Sequence, residues 1–207
     1  PAGAIGLAGG LREGGAENLR RMLRSLRCLL EGQEVVPPQP SPLADPLPHD
    51  WQNDPGPRVG LLLYRALHQA GDLALVEDCL RALRGQGLCP RALWVSGLRD
   101  AVVQRGVADL LGREQVQAVL CATAFASVSV SEAGLGAPLW EALNVPVLQL
   151  LTSGQPRATW QASSIGLGPV DLSLQVALPE LDGRLTTRIG AFKETEQASE
   201  RLSVALT

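Results

Sequence analysis

Four short apolar runs recur along residues 58–152, and they limit the possible folds more tightly than any other feature. They are "RVGLLLYR" (58–65), "RALWVSG" (91–97), "VQAVLCAT" (116–123) and "VPVLQLLT" (145–152). Each is continuous rather than alternating, as in a strand buried on both faces. The stretches between them have helical spacing. Residues 71–87 place Leu73, Val76, Leu80 and Leu83 on one face. Asp72 is expected to cap that helix, and Gly85 and Gly87 to end it. Residues 99–114 and 137–144 read as further helices. Strands separated in this way must pair in parallel through right-handed crossovers. The expected fold is therefore α/β, a doubly wound, mostly parallel flavodoxin-like sheet with helices on both faces. The expected strand order is 2-1-3-4, with a fifth strand at 184–192.

The flanks read differently. Residues 16–31 repeat Leu19, Met22, Leu23, Leu26, Leu29 and Leu30 at helical spacing, with arginines on the other face. That basic face is read as solvated. Residues 35–57 hold eight of the fifteen prolines. Proline removes a donor and fixes φ, so this stretch is expected to be a linker, bound along a neighbouring surface with Trp51 as an anchor. Residues 156–166 and 169–178 read as helices, and Pro179 is expected to end the second. Residues 194–207 read as a helix cut short. The expected organisation is an N-terminal helical segment (1–34), a proline-rich linker (35–57), a flavodoxin-like domain (58–193) and a C-terminal helix (194–207).

Composition removes several function classes. The net charge is −3 with no basic block, so nucleic-acid binding has no electrostatic footprint. No apolar run is long enough for a membrane span. The four cysteines form no CxxC pair and read as buried thiols of a reducing, cytoplasmic compartment. The sequence contains no GxxxxGK[ST] phosphate loop, no GxGxxG between strand and helix, and no GxSxG elbow.

In such a sheet ligands bind beyond the carboxyl ends of the strands, where strand order reverses. That rim carries Tyr64, Arg65, His68, Gln69, Thr123 and Ser127, with Ser96, Thr152 and Ser153 farther along. His68 either caps a loop or supplies a neutral imidazole that takes a proton or holds a metal. The Ser/Gly-rich residues 127–136 read as a mobile loop or an anion cradle. In "LPELDG" (178–183), Asp182-Gly183 is a turn dipeptide. Glu180 lacks that explanation and is expected to leave the helix on an irregular segment.

The wording of particular stretches adds to this reading. Residues 61–100, "TAFAS" (123–127), "WEALNVPVLQLLTSG" (140–154) and "GLGPVDLSLQVALPELDGRLTTRIGAFKE" (166–194) resemble the CobN family, the large subunits of aerobic cobaltochelatase. "GGAENLRRMLRSL" (14–26) and "PLPHD" (46–50) resemble its lead-in. The family is similar to the large, porphyrin-binding subunit of magnesium chelatase. The resemblance implies an internal fragment or truncated relative of a subunit that binds a tetrapyrrole and inserts a metal into it. By that resemblance the expected substrate metal is Co²⁺, entering hydrogenobyrinic acid a,c-diamide in cobalamin biosynthesis. The alternatives are Mg²⁺ entering protoporphyrin IX, or a non-catalytic small-ligand module. The resemblance also implies that AAA+ ATPase and adaptor partner subunits use the ATP, and that the chain alone is inactive.

Metal insertion removes two pyrrole N–H protons and strips water from the metal. Carboxylates and imidazoles serve both needs, as bases and as ligands. Within the family-like motifs those types are Glu180, His68 and Asp182, with Glu180 and His68 as the catalytic pair and all three as transient metal ligands. Tyr64, Arg65, Thr123 and Arg184 are the expected substrate-binding residues, the two arginines pairing with acidic side chains of the macrocycle.

Overall fold

In a computed structural model the chain divides into two compact units, residues 1–44 with 66–72, and residues 45–65 with 73–207. The structure describes residues 2–33, 39–131, 134–196 and 199–204. The smaller unit contains α1 (Ala2–Glu13), α2 (Ala16–Leu30) and, apart from its first residue, α3 (Arg65–Ala70). Within it the buried Asn18 of α2 fastens the segment after the helix. Its Nδ2 donates to the Gly14 and Ser41 carbonyls, each at 2.9 Å, and its Oδ1 accepts from the Ser41 N–H at 2.9 Å.

The larger unit is built on a seven-stranded sheet. In chain order its strands are β1 (Leu47–His49), β2 (Arg58–Tyr64), β3 (Cys89–Val95), β4 (Ala118–Cys121), β7 (Val147–Ser153), β8 (Leu185–Glu196) and β9 (Ser199–Val204). The short strands β5 (Ser129–Ser131) and β6 (Gly134–Gly136) pair separately, antiparallel. The spatial order is β1-β3-β2-β4-β7-β8-β9. Its parallel core β3-β2-β4-β7-β8 is the expected order with the fifth strand in place.

The continuous apolar runs are explained by burial on both faces. Leu61, Leu62 and Leu63 are fully buried. Leu62 is in register with Leu93 on one side and Cys121 on the other. These three join one core cluster with Val107 and Leu111 of α5 (Ala101–Arg113) and Leu139 and Trp140 of α6 (Pro138–Leu143). Leu61 and Leu63 point to the opposite face by strand alternation. The intervening α4 (Ala74–Gly85) buries Leu75, Val76, Cys79 and Leu80. Burial pushes the Cys79 thiol up to about 12, as expected for an inert core thiol.

Several expectations change. Asp72 does not cap α4; Leu73 holds that position without a side-chain bond. The Asp72 N–H is committed to the Leu67 carbonyl at 2.9 Å, at the close of α3. The proline-rich stretch is not all linker. Residues 47–49 form the sheet edge against β3, where Pro48 is tolerated because an edge strand leaves one side unpaired. Trp51 is the anchor: its Nε1 donates to the Ala92 carbonyl at 2.7 Å, and Arg91 lies 5.6 Å from its ring centre. Residues 34–38 lie outside the described residues. The C-terminal stretch is not a helix. β9 pairs antiparallel with β8, with Ala191 opposite Val204, and residues 205–207 lie outside the described residues. The free edge of β8 demands partners for its backbone groups, and this overrides a local helical pattern.

Pro179 does not end its helix. After α7 (Arg157–Ala162), α8 (Pro169–Leu172) passes through a π-helical turn (Ser173–Ala177) into α9 (Leu178–Leu181), with Pro179 inside α9. The wider turn resolves the proline problem. Leu178 N–H bonds back to the Ser173 carbonyl. By the same spacing the Leu174 carbonyl would face the nitrogen of Pro179, which has no hydrogen. That carbonyl instead accepts the Phe125 N–H at 3.1 Å. Among the described residues no helix is long and apolar enough to cross a membrane.

The Trp51 anchor is testable. Trp51→Ala should lower stability by about 2–4 kcal/mol, since the residue is only half-buried. Trp51→Phe keeps most of the packing and should lose only the hydrogen bond, about 1 kcal/mol. Urea unfolding midpoints check both values.

Candidate functional site

The carboxyl ends of β2, β3 and β4 open into a cleft of about 360 Å³. It lies at the reversal of strand order, where β2 has β3 on one side and β4 on the other. Tyr64 closes one wall, Ser96–Arg99 a second and Ala124–Ala126 a third. Tyr64 Oη donates to the Ala124 carbonyl at 2.9 Å, and burial raises its pKa, so it remains a protonated donor.

The third wall is held by a buried ion pair. The Asp182 and Arg184 side chains are both fully buried and meet at 2.6 Å. Asp182 Oδ1 accepts from the Ser127 and Val128 N–H groups at 2.9 and 2.8 Å. Its Oδ2 accepts from the Ser127 N–H and Oγ at 2.7 and 2.9 Å, and from Arg184 Nε at 2.9 Å. The start of the Ser/Gly-rich loop is thus an anion cradle, and the anion it holds is the chain's own Asp182. Arg184 in turn donates to the carbonyls of Thr123 and Phe125, each at 3.0 Å, and to Gln149 Oε1 at 3.0 Å. Its guanidinium also lies 5.3 Å from the Trp140 ring centre.

Phe125 sits between these anchors in the left-handed region, at φ 66°. A bulky residue is rarely found there, and such backbone persists only where its surroundings impose it. Here Leu174 holds its N–H and Arg184 its carbonyl. The residue is 42% exposed and lines the cleft wall. The Arg99 guanidinium lies 5.6 Å from its centre.

The residues singled out by sequence are dispersed. Tyr64 lines the cleft. Arg65 pairs with Asp45 at 3.5 Å. Thr123 is fully buried, its Oγ1 3.1 Å from Cys121 Sγ. Asp182 and Arg184 are engaged with each other and with the loop, so neither presents a charged group to a metal or a macrocycle. Glu180 lies on the helical turn α9, not on an irregular segment, because the π turn lets the helix run through Pro179. Its side chain is exposed, outside the cleft lining, and Oε1 accepts from Thr186 Oγ1 at 3.3 Å. His68 is half-buried in α3 and belongs to the smaller unit. Among the described residues no three His, Cys, Asp or Glu side chains gather to hold a metal.

Sequence reasoning missed Arg99 and Phe125. The signal for Arg99 was present, as a cation in the short connection between β3 and α5, beside the reversal point. Phe125 gave none, since nothing in "TAFAS" marks a left-handed backbone.

The buried pair is testable. Asp182→Asn removes the charge that balances Arg184 and should destabilise the unit by about 3–5 kcal/mol, the range for breaking a buried ion pair from one side. Denaturant titration reads the loss.

Comparison with known proteins fits this architecture. The CobN/Magnesium Chelatase family profile matches residues 10–206. The aerobic cobaltochelatase subunit CobN of Pseudomonas aeruginosa is 37% identical over 205 residues, covering 92% of this chain and 16% of that protein. Its counterpart from Sinorhizobium sp is 39% identical over 137 residues, covering 66% of this chain and 11% of that protein. The chloroplastic magnesium-chelatase subunit ChlH of Oryza sativa subsp. indica is 32% identical over 153 residues, 70% of this chain and 11% of that protein. The catalytic subunit of cobaltochelatase from Mycobacterium tuberculosis superposes with a TM-score of 0.81 at 26% identity, over 98% of this chain and 18% of that one. The chain thus spans less than a fifth of the length of each of these relatives, and it belongs to the CobN/magnesium chelatase family.

Proposed function

We propose that this chain forms part of the tetrapyrrole-binding large subunit of a metal chelatase. In this reading the subunit inserts Co²⁺ into a corrin precursor, hydrogenobyrinic acid a,c-diamide, in the cytoplasm. ATP is used by AAA+ and adaptor partner subunits. The observation that carries cobalt over magnesium is the identity: 37 and 39% to the two cobaltochelatase subunits, against 32% to the magnesium-chelatase subunit. The cleft at the reversal of strand order is the place in this unit for the tetrapyrrole.

The chemistry divides among the residues. Insertion needs a base for each pyrrole proton and oxygen or nitrogen ligands that replace the water of the entering metal. Glu180, exposed on α9 and outside the cleft lining, is the carboxylate offered for both tasks, and it serves them only for a macrocycle whose rim extends beyond the cleft. Its Oε2 has no partner among the described residues, and Oε1 has only the long bond from Thr186. His68 is the imidazole of the family-like motif. Tyr64 contributes a cleft wall and holds Ala124 in place. Asp182 and Arg184 act one step removed, as positioning residues that fix the loop behind the cleft.

The role of Glu180 is checked in the full-length subunit reconstituted with its ATPase partners. Glu180→Gln keeps the shape and removes the charge. Metal insertion should slow by about 10²–10⁴, the usual loss of a general base, with tetrapyrrole affinity unchanged. Insertion at the wild-type rate removes Glu180 from the mechanism. A lowered melting temperature with normal turnover per folded enzyme assigns it a structural role.

A further inference from the structure

The cleft carries more chemical detail than a general tetrapyrrole site requires. Its walls are mostly apolar, with Leu98, Ala124, Phe125 and Ala126 contributing, and among the described residues the one charged side chain in its lining is Arg99. Arg99 is exposed and has no carboxylate partner among the described residues. Its neighbour Asp100 is committed as the cap of α5, its carboxylate accepting the Val102 N–H at 2.7 Å. The other nearby carboxylate, Asp45, is paired with Arg65 and also accepts the Ser96 N–H at 3.2 Å. The cleft therefore presents an uncompensated positive charge beside an exposed aromatic ring. That ring is held in place through backbone bonds on both sides of Phe125.

We infer that this cleft recognises a free carboxylate on the edge of a planar conjugated macrocycle, with Phe125 stacking on the ring system and Arg99 pairing with the carboxylate. The inference rests on the tetrapyrrole reading above and adds to it a preference for acid over amide at the one substituent that Arg99 meets, which the a,c-diamide satisfies through the side chains it keeps as carboxylates. Three features support it. A planar ring favours an aromatic partner in offset or edge contact. A guanidinium pairs with a carboxylate by two parallel hydrogen bonds, and an amide cannot reproduce that charge. The cation–π contact at 5.6 Å keeps the Arg99 head at the mouth of the cleft and limits the freedom lost on binding. Neither of the arginines expected from sequence can do this, since Arg65 is paired and Arg184 is buried.

The test uses the 207-residue chain with two porphyrin probes, deuteroporphyrin IX with its two free carboxylates and the corresponding diamide. Binding is followed by absorbance and by quenching of porphyrin fluorescence. The wild-type chain should bind the diacid about ten- to a hundredfold more tightly than the diamide, the range of a charge-assisted hydrogen bond. Arg99→Gln should weaken the diacid by that factor, leave the diamide unchanged and bring the ratio to about one. Arg99→Lys should retain part of the preference, because it keeps the charge without the fork. Phe125→Leu should weaken both probes by a similar factor. Arg99 is exposed and outside the buried network, so Arg99→Gln should not disturb folding. Porphyrin binding that keeps its acid preference in Arg99→Gln overturns this inference and leaves the chelatase reading standing. Failure of the wild-type chain to bind either probe overturns the inference and also removes tetrapyrrole binding from this part of the subunit.

Discussion

The buried contact between Asp182 and Arg184 organises the functional end of the larger unit. Two charges taken from water are tolerated only when each is paired and its remaining hydrogen-bonding capacity is satisfied. Both conditions are met here. The carboxylate takes two backbone N–H groups and a hydroxyl from the 127–128 corner. The guanidinium spans Thr123, Phe125 and Gln149. One acid and one base two residues apart therefore fix two neighbouring segments, the end of β4 and the beginning of the loop after it. Because the network is closed, it specifies a single arrangement of the cleft wall.

The π-helical turn supplies the second support. A proline in a helix removes one donor, and its effect depends on which carbonyl is left over. In this chain that carbonyl belongs to Leu174, and it captures the N–H of Phe125. Phe125 is then held by a helix on its amino side and by Arg184 on its carbonyl side. Neither hold involves the Phe125 ring, so the residue keeps its unfavourable backbone angle while the ring remains exposed.

The parts of the structure legible in the sequence were those fixed by burial. Runs such as Leu61–Leu63 are apolar because both faces of the sheet are covered, and a continuous run with turns around it is a strong local signal. The β3-β2-β4-β7 order is the one expected of a flavodoxin-like sheet. Other features depend on partners distant in sequence and left no local trace. β9 is a strand because β8 offers an open edge, and residues 47–49 join the sheet because β3 does. The cleft was legible in part. Tyr64, named through the strand-end rule, lines it. Glu180 and Asp182 were chosen by residue type within family-like motifs, and Arg65 and His68 also by their place on the strand-end rim, but neither type nor place reveals which charges fold against each other. Asp182 and Arg184 neutralise each other, whereas Arg99 has no carboxylate partner among the described residues.

The span of the buried network also bears on the order of assembly. Arg184 precedes the last parallel strand, yet it fixes residues 59 and 61 positions earlier in the chain. The cleft wall therefore cannot take its final shape until β8 has docked beside β7. Contacts between such distant residues form late, because closing a long loop must precede any gain from them. The inner strands can assemble first around Leu62 and Leu93, with the cleft wall still unformed. The same hierarchy acts in reverse in the folded protein. Detachment of β8 would release Phe125 and dissolve the cleft while β2, β3 and β4 stayed paired, so the cleft would be lost in a partial opening well before global unfolding.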